Sequence, residues 1–137
     1  MDKVSVLVPT YNEEKNVRPL IEAIIREFET NLPDYDYEII FIDNDSKDST
    51  RVILREMCKN FGQFNSPYYG LLQTTGDCTI LICADFQDPV EMIHDFVNEW
   101  KNGFKIVIGK KIASRENKIM YFLRSCYYKL IKKYSDV

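Results

Sequence analysis

The sequence lacks the patterns that mark several large enzyme classes. Neither phosphate-binding glycine pattern, G-x-G-x-x-G or G-x-x-x-x-G-K-[ST], occurs in it, which argues against dinucleotide oxidoreductases and P-loop NTPases. There is one histidine, His94, and it lies among acids in the middle of a predicted helix. We expect it to have a surface or packing role, and this excludes serine–histidine triads and histidine-rich metal sites.

Cysteine pairs and long apolar runs are also missing. The four cysteines, Cys58, Cys78, Cys83 and Cys126, have no C-x-x-C spacing, and we expect them to be reduced and structural. No uninterrupted apolar run approaches the roughly 18 residues of a membrane span. The apolar stretch near the N-terminus is followed too soon by acids for a signal peptide. These absences predict a cytoplasmic chain without a transmembrane segment.

What the sequence has is the length and composition of one globular domain: 137 residues, of which 45% are apolar. Its net charge of −3 argues against a nucleic-acid-binding protein. The charge is unevenly distributed: residues 1–104 hold 9 basic and 19 acidic side chains, whereas residues 105–133 hold 9 basic side chains and a single acid, Glu116. The C-terminal end is therefore basic.

Short β-branched runs alternate with helical periodicity along the chain. The pattern predicts strands over residues 4–8, 37–42, 78–84 and 104–108. It predicts helices over residues 17–28, 49–59, 66–75 and 117–134, and a further helix that Asp88 caps and Gly103 ends. Continuous apolar strands that alternate with amphipathic helices are typical of an α/β fold with a mostly parallel sheet and helices on both faces.

One interval does not fit this alternation. Only residues 61–65 separate the helix predicted to end near Asn60 from the helix predicted to begin at Ser66, and these are too few for a strand with its two connections. Either the sheet lacks a strand there, or the chain carries an internal deletion, or residues are missing from the numbering.

Polar residues follow each predicted strand, at the edge where ligands bind in open α/β sheets. Asp85 and Gln87 stand two apart just beyond a strand, so their side chains point the same way and offer two hard oxygen ligands to Mg²⁺ or Mn²⁺. Such a cation neutralises the charge that grows on a diphosphate leaving group. The alternative is that Asp85 and Asp88 only cap the following helix.

Two further residues at this edge suit a nucleoside. Asp43, after the second predicted strand, can accept hydrogen bonds from a ribose or a base, and Tyr11 can cover the face of a base. Judged separately, a solvated turn aspartate and a half-buried tyrosine explain them more simply. Glu13 and Glu14 open a helix, where acids complement the helix dipole in any case.

Four segments occur in an order that resembles glycosyltransferase family 2, whose members have the GT-A fold. They are Val-Pro-Thr-Tyr-Asn-Glu-Glu over residues 8–14, Phe-Ile-Asp-Asn-Asp-Ser-Lys-Asp-Ser-Thr over 41–50, Thr-Gly-Asp over 75–77 and Ala-Asp-Phe-Gln-Asp-Pro over 84–89. Together they cover nearly the whole chain, and the branch to which they are most similar is the polyprenyl-phosphate sugar transferases. The resemblance implies one GT-A, Rossmann-like domain over residues 1–137, truncated at its C-terminus.

The resemblance also implies a reaction, the inverting and metal-dependent transfer of a hexose from a nucleoside-diphosphate sugar to a polyprenyl phosphate. A phosphate acceptor is already an anion near neutral pH, so it needs orientation and charge compensation more than a strong base. The implied residues are Pro9, Tyr11, Glu13, Asp43 and Asp85 for the nucleotide, Asp85 and Gln87 for Mg²⁺ or Mn²⁺, Lys110, Arg115 and Arg124 for phosphates, and Asp85 and Arg124 for catalysis. Two rival hypotheses stay open: a transferase that acts on a glycan hydroxyl, and a non-catalytic nucleotide-sugar-binding or assembly module.

Three departures from the family pattern bear on activity. Cys83 stands where the family metal motif has its first acid, so metal affinity would rest on Asp85 and Gln87. Asp45 stands where the turn after the second strand usually has glycine, which questions the shape of that loop. The family strand expected near residues 60–65 is absent from the pattern, and relatives continue beyond the end of this chain. We expect the fold to survive the loss of an edge strand, but we do not expect full activity.

The predicted C-terminal helix, residues 117–134, combines basic charge with tyrosine and phenylalanine. This composition suits a helix that lies on an anionic membrane surface. The alternative is an ordinary amphipathic helix packed on the sheet with a solvated basic face, and both can hold, since one face can pack while the other meets lipid headgroups. The first reading predicts a peripheral position at the inner face of the membrane.

We predict that the chain binds vesicles of anionic phospholipid and that added salt weakens this binding, because exposed charges are screened beyond about 10 Å at 0.1 M salt. Co-sedimentation with anionic and with neutral vesicles across a salt series measures the effect. Indifference to lipid charge would remove the membrane hypothesis.

Overall fold

The computed structural model of the protein describes residues 1–57 and 70–110, together with Tyr127. The chain divides into two compact units, Met1–Val107 and Ile108–Val137. In the first unit the described elements are, in order, β1 (Lys3–Thr10), α1 (Val17–Asn31), β2 (Asp36–Asp43), α2 (Thr50–Met57), β3 (Cys78–Leu81) and α3 (Met92–Lys101). In the second unit only residues 108–110 and Tyr127 are described.

The described strands form a parallel sheet in the order β2-β1-β3. Thr10 at the end of β1 lies beside Asp43 at the end of β2, and Leu7 lies beside Leu81 at the end of β3. The amide of Ile82 then donates to the carbonyl of Leu7 at 3.0 Å and extends the pairing by one residue. Parallel pairing brings the carboxyl ends of these strands to one edge of the sheet, where α/β domains bind their ligands.

The core follows from the alternation of side chains along β1, because successive residues of a strand point to opposite faces. The larger cluster joins one face of the sheet to α1 and α3, and its buried members include Val4, Val6, Val8, Leu20, Ile24, Phe28, Ile93 and Val97. On the other face Leu7 is buried with Ile40 and Ile42. Gly70 lies against this second group, since a Cβ there would come within 2.0 Å of Ile42 and 2.9 Å of Leu7.

The predicted α/β class with a parallel sheet is confirmed, and strands are present at the first three predicted positions. β3 is shorter than predicted and ends at Leu81. The prediction of a strand over residues 104–108 is wrong: the structure describes these residues without a strand, and Phe104 and Ile106 are exposed. Phenylalanine, isoleucine and valine favour an extended backbone, but a strand also needs a paired neighbour, which propensity does not supply.

The start of α3 also differs from the prediction. The helix begins at Met92, and the residue before it, Glu91, makes no side-chain capping hydrogen bond. Asp88 is not the cap, because its carboxylate instead accepts a hydrogen bond from the amide of Cys83 at 3.2 Å. The predicted end is confirmed: Gly103 follows the helix with a φ of 98°, a left-handed conformation that carries no Cβ penalty in glycine.

The helix predicted over residues 66–75 is present at Gly70 and Leu71 and ends there, earlier than expected. Its start and the interval over residues 60–65 lie outside the described residues. Of the helix predicted over residues 117–134 only Tyr127 is described, and it is helical. Within the described part of the chain no helix is long and apolar enough to cross a membrane.

His94 occupies a structural position, whereas of the described cysteines Cys78 is half-buried and Cys83 is exposed. His94 joins α3 to α1, because its Nδ1 lies 3.0 Å from Oε1 of the buried Glu27. Its Nε2 lies 3.1 Å from Oδ1 of Asp95. Cys78 and Cys83 are free thiols, and burial raises the pKa of Cys78 to about 11. Cys58 and Cys126 lie outside the described residues.

A polar network around Glu38 holds the loop before β3 at the amino-terminal edge of the sheet. The carboxylate of Glu38 accepts hydrogen bonds from Lys3 Nζ at 2.8 Å, Ser5 Oγ at 2.6 Å and the amide of Thr75 at 2.7 Å. Gly76 approaches β1 so closely that a Cβ would lie 2.6 Å from Ser5 Oγ. Burial alone would raise the pKa of Glu38, but these hydrogen bonds outweigh burial and lower the pKa from 4.5 to about 2.

We predict that Glu38→Gln lowers the free energy of unfolding at pH 7 by about 1–3 kcal/mol, because Lys3 loses its charged partner. A carboxyl group whose pKa falls on folding stabilises the protein above its unfolded pKa, near 4.5, and loses this effect as the pH falls towards 2. Urea denaturation from pH 7 down to about pH 2.5 should therefore show wild type and variant converging. Glu29→Gln, at an exposed position of α1, is the control, and equal losses in both variants at pH 7 would contradict the prediction.

Candidate active site

Two loops at the carboxyl edge of the sheet are joined to each other by hydrogen bonds. Residues 11–16 follow β1, and residues 44–49 follow β2 and lead into α2. Five bonds each pair a side-chain oxygen with a backbone amide: Asn12 N to Ser46 Oγ (2.9 Å), Lys47 N to Asn12 Oδ1 (2.8 Å), Glu13 N to Thr50 Oγ1 (2.8 Å), Glu14 N to Asp48 Oδ2 (3.1 Å) and Ser49 N to Glu14 Oε2 (3.1 Å). These interloop hydrogen bonds make the two connections one polar surface.

Side-chain oxygens from both loops also serve the N-terminus of α2. The first amides of a helix have no partner within the helix and need an outside acceptor. Glu14 supplies one for Ser49, and Oδ1 of Asp48 accepts from the amide of Thr50 at 3.0 Å. A carboxylate at this end of a helix is further favoured by the helix dipole. The loop after β1 is thereby attached to α2 as well as to the loop after β2.

Asp43 ends β2 at the base of these loops, and only 8% of it is exposed. Its carboxylate accepts hydrogen bonds from the amide of Ser46 at 3.3 Å and from Arg51 Nε. Nη2 of the same guanidinium lies 2.7 Å from Oδ1 of Asp45. Burial acts to raise the pKa of Asp43, but the hydrogen bonds from Ser46 and Arg51 outweigh it and lower the pKa below its ordinary value. Asp43 is therefore ionised at neutral pH, with a fixed orientation.

Two residues of these loops have left-handed backbone conformations: Asn12, with a φ of 56°, and Asp45, with a φ of 65°. Asparagine and aspartate adopt this conformation more readily than other residues that carry a Cβ. The loop at Asp45 thus has the positive φ that glycine adopts without steric cost. The carboxylate of Asp45 accepts hydrogen bonds from Lys47 and Arg51. The absence of glycine here has not removed the left-handed turn.

The turn after β3 is anchored at both ends and exposed between them. Ala84 and Val90 are buried, whereas residues 85–89 are exposed. Within the turn, Oδ1 of Asp85 accepts a hydrogen bond from the amide of Gln87 at 3.1 Å. The residue between them, Phe86, has a φ of 56°. The turn therefore presents two oxygen-bearing side chains to solvent beyond the end of β3.

This pair fits a hard divalent cation. Mg²⁺ and Mn²⁺ prefer oxygen ligands, and Mg²⁺ in particular binds through one or two carboxylates and completes its shell with water and substrate phosphate. Cys83 does not replace the acid of the family motif, because burial and the neighbouring Asp88 raise the pKa of its thiol, which stays protonated. Among the described residues no group of three or more histidine, cysteine, aspartate or glutamate side chains is placed to hold a metal. Asp85 and Gln87 therefore stay the metal ligands that the sequence predicts within the described turn.

Three other predicted site residues lie at or next to the end of β1. Pro9 is half-buried within the strand, and Tyr11 follows it with 56% of its surface exposed. The side chain of Glu13 is engaged locally, because its carboxylate accepts a hydrogen bond from Asn16 Nδ2 at 2.7 Å. The sheet therefore brings Tyr11, just after β1, and Asp43, at the end of the neighbouring β2, to one edge.

The predicted phosphate ligands lie outside the described part of the first unit. Lys110 is exposed and belongs to the second unit of the chain. Arg115 and Arg124 lie outside the described residues. Their proposed contacts with phosphate therefore stay predictions from the sequence.

Sequence reasoning missed the residues that hold the loops in place. The polar run before α2 contains Asp48 and Thr50, and it could have been read as a helix-capping signal. No such signal marks Arg51, because it stands eight residues after Asp43 and the two meet only through the turn between β2 and α2. The signal for the Asp48 contact is local in the sequence, whereas an ion pair between elements depends on the fold.

An open parallel sheet with polar loops at its carboxyl edge is typical of nucleotide-binding α/β domains. Residues 5–136 match the sequence profile described as glycosyl transferase family 2. The chain belongs to this family.

Among curated relatives, the chain is 34% identical to a bactoprenol glucosyl transferase of Shigella phage SfX, and the match covers 97% of this chain and 47% of the relative. It is 32% identical to a dolichol-phosphate mannosyltransferase of Pyrococcus furiosus, over 80% of this chain and 33% of the relative. The chain thus spans about half the length, or less, of these relatives. The phage alignment runs over 146 residues, more than the 137 of this chain, so the relative has residues there without a counterpart here.

A solved structure supports the fold. The complex of Staphylococcus aureus TarS, residues 1–349, with UDP matches with a TM-score of 0.56 at 22% identity, over 85% of this chain and 39% of TarS. The GT-A fold expected from the sequence is therefore confirmed.

We predict that Arg51→Ala raises the pKa of Asp43, because it removes a cation that stabilises the ionised carboxylate. Carbon-13 NMR of the aspartate carboxyl groups across a pH titration measures this pKa. Arg55→Ala is the matched control, since Arg55 is an exposed arginine of the same helix. An unchanged pKa in Arg51→Ala would mean that the Ser46 interactions alone keep Asp43 ionised.

Proposed function

We propose that the protein transfers a hexose from a nucleoside-diphosphate sugar to a polyprenyl phosphate, with inversion at the anomeric carbon. The observation that carries the proposal is the pair of exposed, oxygen-bearing side chains of Asp85 and Gln87 at the carboxyl edge of a family 2 sheet. The names of the curated relatives, bactoprenol glucosyl transferase and dolichol-phosphate mannosyltransferase, support a polyprenyl phosphate as the acceptor. Glucose is the sugar that the phage relative's name suggests.

The loops after β1 and β2 would bind the nucleoside. The exposed ring of Tyr11 offers a face on which a base can stack, and the ionised Asp43 can accept from a ribose hydroxyl with the lone pairs that Ser46 and Arg51 leave open. Pro9 and Glu13 would act by fixing the loop, since Glu13 is bonded to Asn16 through its side chain. The interloop hydrogen bonds support this role because they order the surface before the nucleotide arrives.

Asp85 and Gln87 would hold Mg²⁺ or Mn²⁺ beside the donor diphosphate. When bound, the cation would supply the positive charge that stabilises a departing nucleoside diphosphate. The part of the two side chains is to present their oxygens together from one exposed turn. Water and donor phosphate oxygens would complete the coordination shell.

The acceptor needs no strong general base. An oxygen of the polyprenyl phosphate, already anionic near neutral pH, would attack the anomeric carbon from the side opposite the leaving diphosphate, and this inverts the configuration. Lys110, Arg115 and Arg124 would compensate the phosphate charges, and Arg124 would also take part in catalysis, as the family resemblance implies. The same basic segment, residues 105–133, would hold the chain at an anionic membrane surface, where the lipid acceptor resides.

We predict that the chain binds a uridine or guanosine diphosphate sugar, that Mn²⁺ strengthens this binding, and that Asp85→Ala removes the strengthening. Isothermal titration calorimetry with UDP-glucose and GDP-mannose, with and without Mn²⁺, measures each effect. Glu99→Ala, which removes one exposed acid of α3, is the control and should bind as the wild type does. If neither nucleotide sugar binds, or if Asp85→Ala behaves like the control, the donor-site proposal is wrong.

The acceptor is tested by the transfer of labelled hexose to a short-chain polyprenyl phosphate. A lipid-linked product with inverted configuration supports the proposal. Product on oligosaccharides alone would favour a glycan hydroxyl as the acceptor. Donor binding without transfer to either acceptor would favour a binding or assembly module.

A further inference from the structure

Two hydrogen bonds from backbone amides to carboxylates shape the described turn between β3 and α3. The inner bond is local and joins the amide of Gln87 to Oδ1 of Asp85 at 3.1 Å. The outer bond joins the amide of Cys83 to Oδ2 of Asp88 at 3.2 Å. The outer bond encloses the inner one, so Asp88 ties together the two ends of the segment that carries Asp85 and Gln87.

The enclosed segment has little packing of its own. Residues 85–89 are exposed, and the buried neighbours Ala84 and Val90 lie outside them. Phe86 has a φ of 56°, a left-handed conformation that is unfavourable for a residue with a Cβ. Such a conformation persists only where surrounding contacts impose it. The bond from Cys83 to Asp88 is a contact that spans this residue.

Asp88 does not cap the described helix that follows it. The sequence pattern predicts it as the cap of the following helix, but α3 begins four residues later, at Met92. Its described backbone contact is with the residue that precedes the turn. The carboxylate therefore serves the turn and not the helix.

From this geometry we propose that Asp88 is a positioning residue, whose bond to Cys83 holds the turn in the shape that presents Asp85 and Gln87 to one cation. The inference rests on the proposed function, which assigns Mg²⁺ or Mn²⁺ to those two side chains. Residues that orient metal ligands without touching the metal typically contribute 10- to 100-fold to affinity. The proposed function assigns two described side chains to the cation, so their placement relative to each other would have a large share in that affinity.

The test compares the Mn²⁺ dissociation constants of four proteins, measured from the electron paramagnetic resonance of free Mn²⁺ without nucleotide. Asp88→Ala should weaken Mn²⁺ binding about tenfold. Asp88→Asn keeps a side-chain oxygen that can accept from Cys83 and should stay within about threefold of the wild type. Glu91→Ala is the matched control, because it removes an equal charge three residues further on, from a side chain with no capping hydrogen bond, and it should change nothing.

A second readout keeps the test independent of metal binding. The amide of Cys83 should exchange its hydrogen faster in Asp88→Ala than in the wild type without metal, and Asp88→Asn should restore slow exchange. Unchanged melting temperatures would show that the variants are folded. If Asp88→Ala fails to fold, Asp88→Glu replaces it: this variant keeps the charge but moves the carboxylate outward by one methylene, so it should weaken Mn²⁺ binding and speed exchange at Cys83 together, and wild-type values for both would overturn the proposal.

Each outcome either supports or overturns the proposal. If Asp88→Ala binds Mn²⁺ like Glu91→Ala, Asp88 does not position the site. If Asp88→Asn loses as much affinity as Asp88→Ala, the charge matters and not the hydrogen bond, and the positioning role is wrong. An Asp85→Ala variant distinguishes failure of the proposed function from failure of this inference. Normal Mn²⁺ binding in Asp85→Ala would overturn the proposed function. If Asp85→Ala loses Mn²⁺ binding but Asp88→Ala binds Mn²⁺ as the wild type does, only the positioning role of Asp88 is overturned.

Discussion

Hydrogen bonds between side chains and backbone amides hold the two loops on which the candidate site depends. The loops after β1 and β2 have polar sequences, and their shape comes from groups such as Asn12, Glu14 and Thr50, which each satisfy an amide of the neighbouring segment. A single bond of this kind contributes only about 0.5–1.5 kcal/mol. Five of them acting on two short connections make one ordered surface, so Tyr11 and Asp43 are carried by a rigid part of the fold.

A carboxylate paired with a basic side chain lies near each end of β2. β2 carries Glu38 near its start and Asp43 at its end, and the pKa of each carboxyl lies below its ordinary value because a basic side chain and hydrogen bonds outweigh burial. Lys3 serves at one end and Arg51 at the other. A lowered pKa is therefore no sign of catalysis in this molecule, since the Glu38 network lies at the edge opposite the candidate site. Both carboxylates have a structural role: Glu38 holds the loop before β3, and Asp43 holds the turn that leads into α2.

The parts of the fold that could be predicted are those that depend on the local order of apolar and polar residues in the sequence. Apolar runs over β1, β2 and β3 identify buried parallel strands, and the sheet edge of the candidate site follows from them. Predictions failed where a partner elsewhere in the chain decides. Asp88 has the sequence of a helix cap, but the amide of Cys83 competes for it. Residues 104–108 have the composition of a strand, but the structure describes them without strand pairing. Arg51 has no sequence signal, because its partner is brought to it only by the turn into α2.

The replacement at Cys83 bears most on how the proposed site would work. A protonated thiol is a poor ligand for Mg²⁺ or Mn²⁺, so the described turn would offer one carboxylate and one amide oxygen. A cation held by so few side chains takes most of its ligands from water and from the donor diphosphate. The placement of Asp85 relative to Gln87 would then matter more than in a site with several carboxylates, because an error in either ligand would not be averaged over many others. On this argument the backbone of the turn, with Phe86 in a left-handed conformation, would be as much a part of the proposed metal site as the two side chains that it presents.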